Sequence, residues 1–167
     1  VLCTGKRVFS VENSDGVIAE GLPSSRDSGE NAWIPIMYGC NNFCSYCIVP
    51  YVRGRERSRE PDLILSEAKE LVAQGYKKLT LLGQNVNSYG KNCDFSVNFA
   101  ELIRRLDKID GDFTFDFMTS HPKDCSFELI DVLAESKHFC GHLHLPVQSG
   151  NDRVLKEMNR HYDREKY

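Results

Sequence analysis

The sequence predicts an α/β fold in which parallel strands form a sheet covered by helices. Segments with strand and helix patterns alternate from residue 32 onward, and the length of 167 residues suits one domain with a hydrophobic core. Repeated strand–helix units imply right-handed crossovers, which build an open sheet or a barrel. Only about four units are present, and four strands cannot close a barrel of this kind. We therefore expect an open sheet or, more specifically, part of a larger barrel.

Residues 1–31 are the least regular part of the chain and are predicted to lie outside this sheet. Lys6–Val11 and Val17–Ala19 are compatible with short strands, and Gly21–Asn31 is rich in Ser, Gly, Asp and Pro, as linkers are. The sequence has no initiator Met, so we expect it to begin within a longer protein. The first 31 residues are interpreted as a linker or the remnant of a preceding domain, and residues 32–167 as the main domain.

Strands and helices alternate along the main domain. The first predicted strand, Ala32–Tyr38, contains Pro35, which lacks an N–H donor and is easiest to place at a sheet edge. A long loop over Cys40–Arg59 follows, and then a helix from Pro61 to Gln74 that ends before Gly75. The remaining elements are predicted as the strand Lys78–Leu82, the helix Val97–Leu106, the strand Phe113–Met118, the helix Ser126–Glu135 with Ser126 as N-cap, the strand His142–Leu145 and the helix Asp152–Asn159.

Composition and charge exclude several classes of protein. No apolar run approaches the roughly 20 residues that span a bilayer, and the first residues lack the pattern of a signal peptide, so a cytoplasmic setting without membrane contact is expected. The net charge is −3 and the isoelectric point about 6.0. Dedicated nucleic-acid-binding domains are usually basic, so any basic surface for RNA must be local or lie in another part of the protein.

The predicted strand ends locate a candidate site. In parallel α/β folds, ligands bind beyond the carboxyl ends of the strands. All four of these ends are polar or glycine-rich: Gly39–Cys40, Gly83–Asn85, Thr119–His121 and Pro146–Gly150. We expect them to converge on one site.

The first of these ends carries three closely spaced cysteines, Cys40, Cys44 and Cys47. Thiolates hold iron–sulfur clusters, and three thiolates on a four-iron cluster leave one iron open for a ligand. A structural zinc site, the alternative, takes four ligands, yet no further His or Cys follows until Cys93. Three unrelated buried cysteines are a second alternative. The remaining four of the seven cysteines, Cys3, Cys93, Cys125 and Cys140, are scattered and are interpreted as buried small side chains.

The sequence around these cysteines resembles the radical S-adenosylmethionine (SAM) superfamily, with the aromatic Tyr46 before the last cysteine. Ile48–Arg59 resembles the methylthiotransferase family, and Leu81–Gly90 the branch that modifies N6-isopentenyladenosine in tRNA. Ser120–Pro122 and His142–Gly150 match further blocks of the family. The resemblance covers roughly residues 32–167.

The resemblance implies a fold, a reaction, cofactors and partners. The fold would be a partial radical SAM barrel with four of the family's six β/α units. The cofactors would be a 4Fe-4S cluster and SAM, whose cleavage gives a 5′-deoxyadenosyl radical. The substrate would be the adenine next to the tRNA anticodon, which receives sulfur and a methyl group at C2. A flavodoxin or ferredoxin would donate the electron.

The resemblance also assigns roles to residues. Cys40, Cys44 and Cys47 would ligate the cluster, and Tyr46 would pack near the SAM adenine. Gly83, Gln84 and Asn85 would lie beside the SAM amino group, Ser120 and His121 would contact SAM or substrate, and Gln148 and Ser149 would face the ribose or methionine part. The basic loop supplies candidates for RNA contacts, with one or two of its arginines structural: Arg53, Arg55, Arg57 and Arg59.

The sequence departs from the family in two respects. The family has three further cysteines in an N-terminal domain for an auxiliary cluster, and only Cys3 is present here; it also continues past Tyr167 into a tRNA-gripping domain. We therefore expect this chain alone to lack methylthiotransferase activity and to associate with itself through open sheet edges. The alternatives are a methylthiotransferase for threonylcarbamoyladenosine or a ribosomal protein, or a non-catalytic iron–sulfur or zinc module.

Overall fold

The computed structural model describes residues 18, 20–21, 29–91 and 93–167. The strand predicted over residues 6–11, both ends of the one predicted over 17–19 and most of the linker lie outside these described residues, as does Cys3. Five strands are formed: β1 (Asn31–Pro35), β2 (Met37–Tyr38), β3 (Arg57–Ser58), β4 (Lys78–Leu82) and β5 (Thr114–Phe117). Five helices accompany them: α1 (Val49–Arg53), α2 (Pro61–Ala73), α3 (Phe99–Leu106), α4 (Phe127–Glu135) and α5 (Asp152–Glu157).

The predicted parallel α/β fold is confirmed. Strands β1, β4 and β5 form a sheet in the order β1-β4-β5, and both pairings are parallel. The central strand β4 places Leu81 opposite Ile34 on one side and Phe117 on the other. All three side chains are buried, in a core to which α2, α3 and α4 add residues such as Ile64, Leu102 and Leu129.

Pro35 lies at an edge of this sheet, as its missing N–H predicts. β1 pairs with β4 on one side, and no other described strand pairs with it. The carbonyl of Pro35 accepts a hydrogen bond from Arg59 instead, at 2.7 Å. The edge position is therefore compatible with a residue that cannot donate to a neighbouring strand.

The predicted first strand is interrupted, and the predicted loop after it is partly ordered into elements. Ile36 separates β1 from β2, which leaves the sheet and pairs antiparallel with β3, with Met37 opposite Ser58. The prediction of a continuous loop over Cys40–Arg59 is therefore wrong, since α1 and β3 lie within it. The carbonyl of Ile36 accepts from the amide of Arg59 at 2.9 Å, and this contact draws the two ends of the segment together.

The fourth strand, predicted over His142–Leu145, is also wrong. The segment that runs beside β5 lies earlier in the sequence than predicted. It contains Phe139, which forms an isolated parallel bridge with Phe115. The ring of Phe139 packs on Phe115 at 5.7 Å and on Phe117 at 5.8 Å between centroids. These aromatic contacts fix the chain at Phe139, and the following residues continue as irregular backbone.

The helix predictions are confirmed apart from their ends. α3 begins at Phe99, two residues later than expected, because the side chain of Asn98 accepts from the Glu101 amide at 2.8 Å as an N-cap. Ser126 caps α4 as predicted, accepting from the Leu129 amide at 3.1 Å. No helix among the described residues has the length and apolar composition needed to cross a membrane.

Candidate metal centre at the strand ends

The three-cysteine loop begins at the glycine that follows β2. Gly39 has φ of 73°, and a Cβ at this position would lie 2.0 Å from the carbonyl oxygen of Arg55. The amide of Cys40 donates to the carbonyl of Gly54 at 3.2 Å, and Asn41 and Glu56 exchange two bonds between backbone amide and side-chain oxygen, at 3.1 and 3.3 Å. The loop is therefore closed at its base by direct backbone contact that only glycine permits.

The three cysteines are all free thiols, of which Cys40 is buried and Cys44 and Cys47 are half-buried. Burial raises the pKa of the Cys40 thiol, opposed by a hydrogen bond from the Asn42 backbone. The negative charges of Glu56, Cys44 and Cys47 raise this pKa further. Ligation to a metal centre stabilises the thiolate form and so offsets this cost.

The donor chemistry fits an iron–sulfur cluster. Among the described residues, no group of three His, Cys, Asp or Glu side chains is arranged to hold a metal ion. A single zinc ion has its thiolates about 2.3 Å away and so brings them into mutual contact. A four-iron cluster takes each thiolate on a different iron and spaces them further apart. Three soft thiolates on one loop are the donor set that such a cluster takes.

The segment after α5 braces this loop from behind. The hydroxyl of Ser45 donates to the carbonyl of Glu157 at 2.6 Å, and the Ser45 amide donates to Met158 at 3.1 Å. The side-chain amide of Asn159 donates to the carbonyl of Phe43 at 2.8 Å. The adjacent Arg160 reaches the sulfur of Cys44 with Nη1 at 3.3 Å. Residues more than 100 positions apart thus hold the loop in place.

Two buried polar side chains next to the loop have donors without acceptors among the described residues. Arg160 is 5% exposed, and its Nε and Nη2 have no partner. His121 is 3% exposed; its Nδ1 accepts from the Lys123 amide at 3.1 Å, so the neutral ring carries its proton on Nε2, which also has no partner. Both side chains contact the ring of Tyr162. Orphaned donors at this place fit a group that is rich in acceptors and negatively charged, as a thiolate-ligated cluster with a bound carboxylate is.

Hydrogen bonds tie the loops after β4 and β5 to each other. The hydroxyl of Thr119 donates to the carbonyl of Gly83, and the Val86 amide donates to the carbonyl of Thr119 at 3.2 Å. Asn87 exchanges two hydrogen bonds with the backbone of His121, at 2.9 and 3.0 Å. Thr119 has φ of 65°, a conformation that is uncommon for a β-branched residue. The two strand ends therefore form one rigid unit, as the convergence of strand ends predicts.

Asn85 and Asp124 form the polar centre of this unit. Asn85 is fully buried, and its Nδ2 donates to Asp124 Oδ2 at 2.7 Å while its Oδ1 has no partner among the described residues. Burial alone raises the pKa of Asp124, but hydrogen bonds from Lys91, Asn85 and Lys123 outweigh it, and the net shift is downward. Asp124 was not predicted from the sequence, because a lone aspartate after a proline resembles any polar turn.

The other predicted cofactor residues are placed as follows. A Cβ at Gly83 would lie 2.5 Å from Cγ of Met37. Close packing against the Met37 side chain is therefore sufficient to explain why a glycine stands at this position. The Oε1 of Gln84 is buried without a partner among the described residues. Tyr46 is 55% exposed beside the cysteines. Its surface is therefore accessible to a ligand.

Ser120 links the end of β5 to the segment after Phe139. Its hydroxyl donates to the carbonyl of His144, and Ser120 itself is buried. Gln148 is exposed with φ of 64°, and the Ser149 hydroxyl accepts from the Asn151 amide at 3.1 Å, at the start of α5. These contacts position residues 144–149 by hydrogen bonds instead of a fourth strand.

The four arginines of the basic loop differ in exposure. Arg59 is buried, with Glu20 at 2.6 Å from its Nε and Glu67 at 2.9 Å from its Nη1. Burial lowers the pKa of Arg59, but the two carboxylates outweigh this and raise it. Arg59 is therefore engaged in structural contacts, the role expected for one or two of the four arginines.

The remaining three arginines lie nearer the surface. Arg53 and Arg55 are exposed, and the guanidinium of Arg55 lies 4.8 Å from the centre of the Phe43 ring. Arg57 is half-buried and donates to the carbonyl of Arg53 at 3.3 Å. Arg53 and Arg55 thus retain free surface beside the cysteine loop.

Several known proteins are similar to this chain in sequence. The profile of the radical SAM superfamily matches residues 34–167. The tRNA-2-methylthio-N(6)-dimethylallyladenosine synthase of Carboxydothermus hydrogenoformans is 56% identical over 162 residues, covering 97% of this chain and 37% of that protein. The synthase of the same name from Clostridium perfringens is 56% identical over 167 residues, covering 100% of this chain and 37% of that protein. The chain thus spans little more than a third of the length of these relatives.

Solved structures show a likeness of fold alone. The radical S-adenosylmethionine methyltransferase TsrM from Kitasatospora setae, with tryptophan and a SAM analogue bound, superposes with a TM-score of 0.64 at 19% identity, over 81% of this chain and 26% of that one. The same enzyme with cobalamin and a 4Fe-4S cluster bound gives a TM-score of 0.63 at 19% identity, over 80% of this chain and 25% of that one.

Proposed function

Because the chain belongs to the radical SAM superfamily, we propose that it is the SAM-cleaving part of a tRNA methylthiotransferase that acts on N6-isopentenyladenosine. The family's cofactors are a 4Fe-4S cluster and SAM. The observation that carries the proposal is the loop of Cys40, Cys44 and Cys47 at a strand end, with orphaned buried donors behind it. The identity of 56% to synthases named for this reaction supports the choice of substrate.

The proposal also assigns roles to individual residues. We assign Cys40, Cys44 and Cys47 as cluster ligands; the cluster, when bound, supplies the electron that cleaves SAM into methionine and a 5′-deoxyadenosyl radical. The exposed ring of Tyr46 is placed to pack on the SAM adenine, and Gln84 and Asn85 each retain a buried carbonyl oxygen that accepts from the SAM amino group. His121 offers the neutral Nε2–H to SAM or substrate.

Three further assignments belong to the same proposal. The backbone of Gly83 is assigned to the surroundings of the SAM amino group. Ser120 orders the neighbouring loop through its hydrogen bond to His144. Gln148 and Ser149 are assigned to the ribose or methionine part of SAM. Arg53 and Arg55 are exposed beside the cysteine loop and are assigned to contacts with tRNA phosphates. A cytoplasmic setting belongs to the proposal because tRNA is the substrate.

A chimera tests the substrate and reaction. Residues 1–167 of this chain replace the matching segment of the Clostridium perfringens synthase, to which they align end to end. In a strain that lacks the enzyme, we expect the chimera to restore 2-methylthio-N6-isopentenyladenosine in tRNA, as measured by mass spectrometry of nucleosides. A matched chimera with Cys44→Ala should restore none. Methylthiolation of threonylcarbamoyladenosine instead, or no modified nucleoside from a cluster-loaded chimera, contradicts the proposal.

Two kinds of partner are also proposed. A flavodoxin or ferredoxin supplies the electron, and SAM cleavage should therefore proceed when such a protein replaces a chemical reductant.

A second copy of the chain pairs along the outer edge of β1, where Trp33 is 49% exposed. A strictly monomeric mass by light scattering at high concentration contradicts the second proposal.

A further inference from the structure

We propose that Arg160 is a positioning residue that hydrogen-bonds the Cys44 thiolate and stabilises the reduced state of the cluster. The inference rests on the proposed cluster at the three cysteines. Nη1 of Arg160 lies 3.3 Å from Sγ of Cys44, and no other described side chain donates a hydrogen bond to the sulfur of Cys40, Cys44 or Cys47. None of the sequence motifs points to this arginine.

Arg160 is a buried cation that has no carboxylate partner among the described residues. It is 5% exposed, and the ion pairs that the structure describes involve other side chains, such as Arg59 with Glu67 and Arg164 with Asp152. A buried charge that is not compensated is strongly destabilising. The negative charge that compensates it must therefore come from the thiolates that Arg160 faces and from the group that they hold.

The backbone around Arg160 fixes the guanidinium in place. The Arg160 amide donates to the carbonyl of Leu155 at 3.0 Å, and Leu155 is fully buried. The preceding Asn159 bonds to the carbonyl of Phe43 in the cysteine loop at 2.8 Å. The guanidinium also lies over the ring of Tyr162 at 5.6 Å. Contacts within the chain thus orient Arg160 toward Cys44, which lowers the ordering cost when it acts.

The electrostatic consequence has a definite sign. Reduction adds one electron from the donor and moves no proton, so the cluster and its thiolates gain one negative charge. A hydrogen bond to a thiolate and a buried cation both favour the more negative form, and such bonds are a recognised determinant of iron–sulfur potentials. Arg160 therefore raises the midpoint potential and makes the electron easier to deliver.

The test compares Arg160→Gln with wild type in the reconstituted chain. We expect the preference for the reduced form to fall about tenfold, which is a shift of the midpoint potential by about −59 mV in a redox titration followed by electron paramagnetic resonance. Arg164→Gln, which removes an exposed arginine that is paired with Asp152, should leave the potential unchanged. Iron and sulfide content and the circular dichroism melt are measured for each variant.

Every outcome of this test decides the inference. An unchanged midpoint potential in cluster-loaded Arg160→Gln overturns the inference. If that variant also binds SAM more weakly, Arg160 is a SAM ligand instead. If Arg160→Gln does not fold, Arg160→Met is measured; it keeps much of the aliphatic length and removes the charge and the donors, so a negative shift supports the inference and a wild-type potential overturns it. A wild-type chain that binds no cluster contradicts the proposed function rather than the role of Arg160.

Discussion

His121 shows at the scale of one residue how the site sets a protonation state. Burial lowers the pKa of its imidazole to about 4, the positive charge of Arg160 acts in the same direction, and Asp124 opposes it. The ring is therefore neutral at pH 7 and presents Nε2–H as a donor. A charged imidazole would add a second buried cation beside Arg160, which the site does not support.

This pKa predicts how stability depends on pH. The unfolded chain binds a proton at His121 near pH 6.5, whereas the folded chain binds it only near pH 4. The free energy of unfolding should thus fall as pH drops from 6.5 toward 4, by up to about 3 kcal/mol from this residue. His121→Asn, which retains an acceptor for the Lys123 amide, removes this term. Urea unfolding of both proteins at several pH values should give curves that converge or cross toward acid; parallel curves contradict the assignment.

Whether a residue of the site could be predicted from the sequence depends on how far away in the sequence its contacts lie. The three cysteines could be proposed as cluster ligands from the sequence because their spacing of three and two intervening residues is local and chemically specific. Arg160 was not predictable, because its contact with Cys44 spans 116 positions and an arginine after a short helix resembles any solvated residue. Which of the four arginines is structural was not predictable for the same reason, since Glu20, the partner of Arg59, lies 39 positions away.

At the scale of elements, the cysteine loop depends on close backbone contact at its base. Gly39 and Gly75 both have positive φ, at 73° and 95°. A Cβ at Gly39 meets the Arg55 carbonyl at 2.0 Å, whereas a Cβ at Gly75 meets nothing within 4 Å. An alanine at Gly75 therefore measures the free-energy cost of the backbone conformation alone. An alanine at Gly39 adds the cost of the clash.

We predict that Gly75→Ala lowers the free energy of unfolding by about 1 kcal/mol, the cost of a left-handed conformation. Gly39→Ala should cost about 1–3 kcal/mol more, because the loop and the Arg55 carbonyl must move apart. Gly39→Ala should also hold less iron after reconstitution, since the displaced loop carries Cys40. Urea unfolding and iron analysis measure both effects. If the two variants lose the same free energy of unfolding and hold the same amount of iron, the prediction is contradicted, because the cysteine loop then opens at its base without a cost.

The elements themselves were predictable where their pattern was long. α2 has apolar residues at helical spacing over 13 residues, and its bounds agree with the prediction to one residue. The segment His142–Leu145 has only four residues of alternating polarity, and such a short pattern does not distinguish a strand from an irregular segment that alternates by chance. Contacts of the Phe139 ring with Phe115 and Phe117 placed the bridge earlier in the chain, and these contacts are not visible in local sequence.

At the scale of the whole molecule, the sheet brings distant segments to one edge. The ends of β4 and β5 are joined through Thr119 and Asn87, and the segment after α5 reaches back to the cysteine loop. The fold class followed from the alternation of strands and helices, while the way α5 braces the loop depended on contacts that only the folded chain contains. The site is therefore a property of the folded chain and not of the cysteine motif alone.

The central claim is that the three cysteines hold a cluster that cleaves SAM. The most direct measurement is the yield of 5′-deoxyadenosine after the chain is reconstituted anaerobically with iron and sulfide, reduced with dithionite and given SAM. We predict that the wild-type chain forms 5′-deoxyadenosine and that Cys44→Ala, treated in the same way, forms none. An iron-loaded, reduced wild-type chain that leaves SAM intact would contradict the claim, and so would Cys44→Ala that cleaves SAM at the wild-type rate.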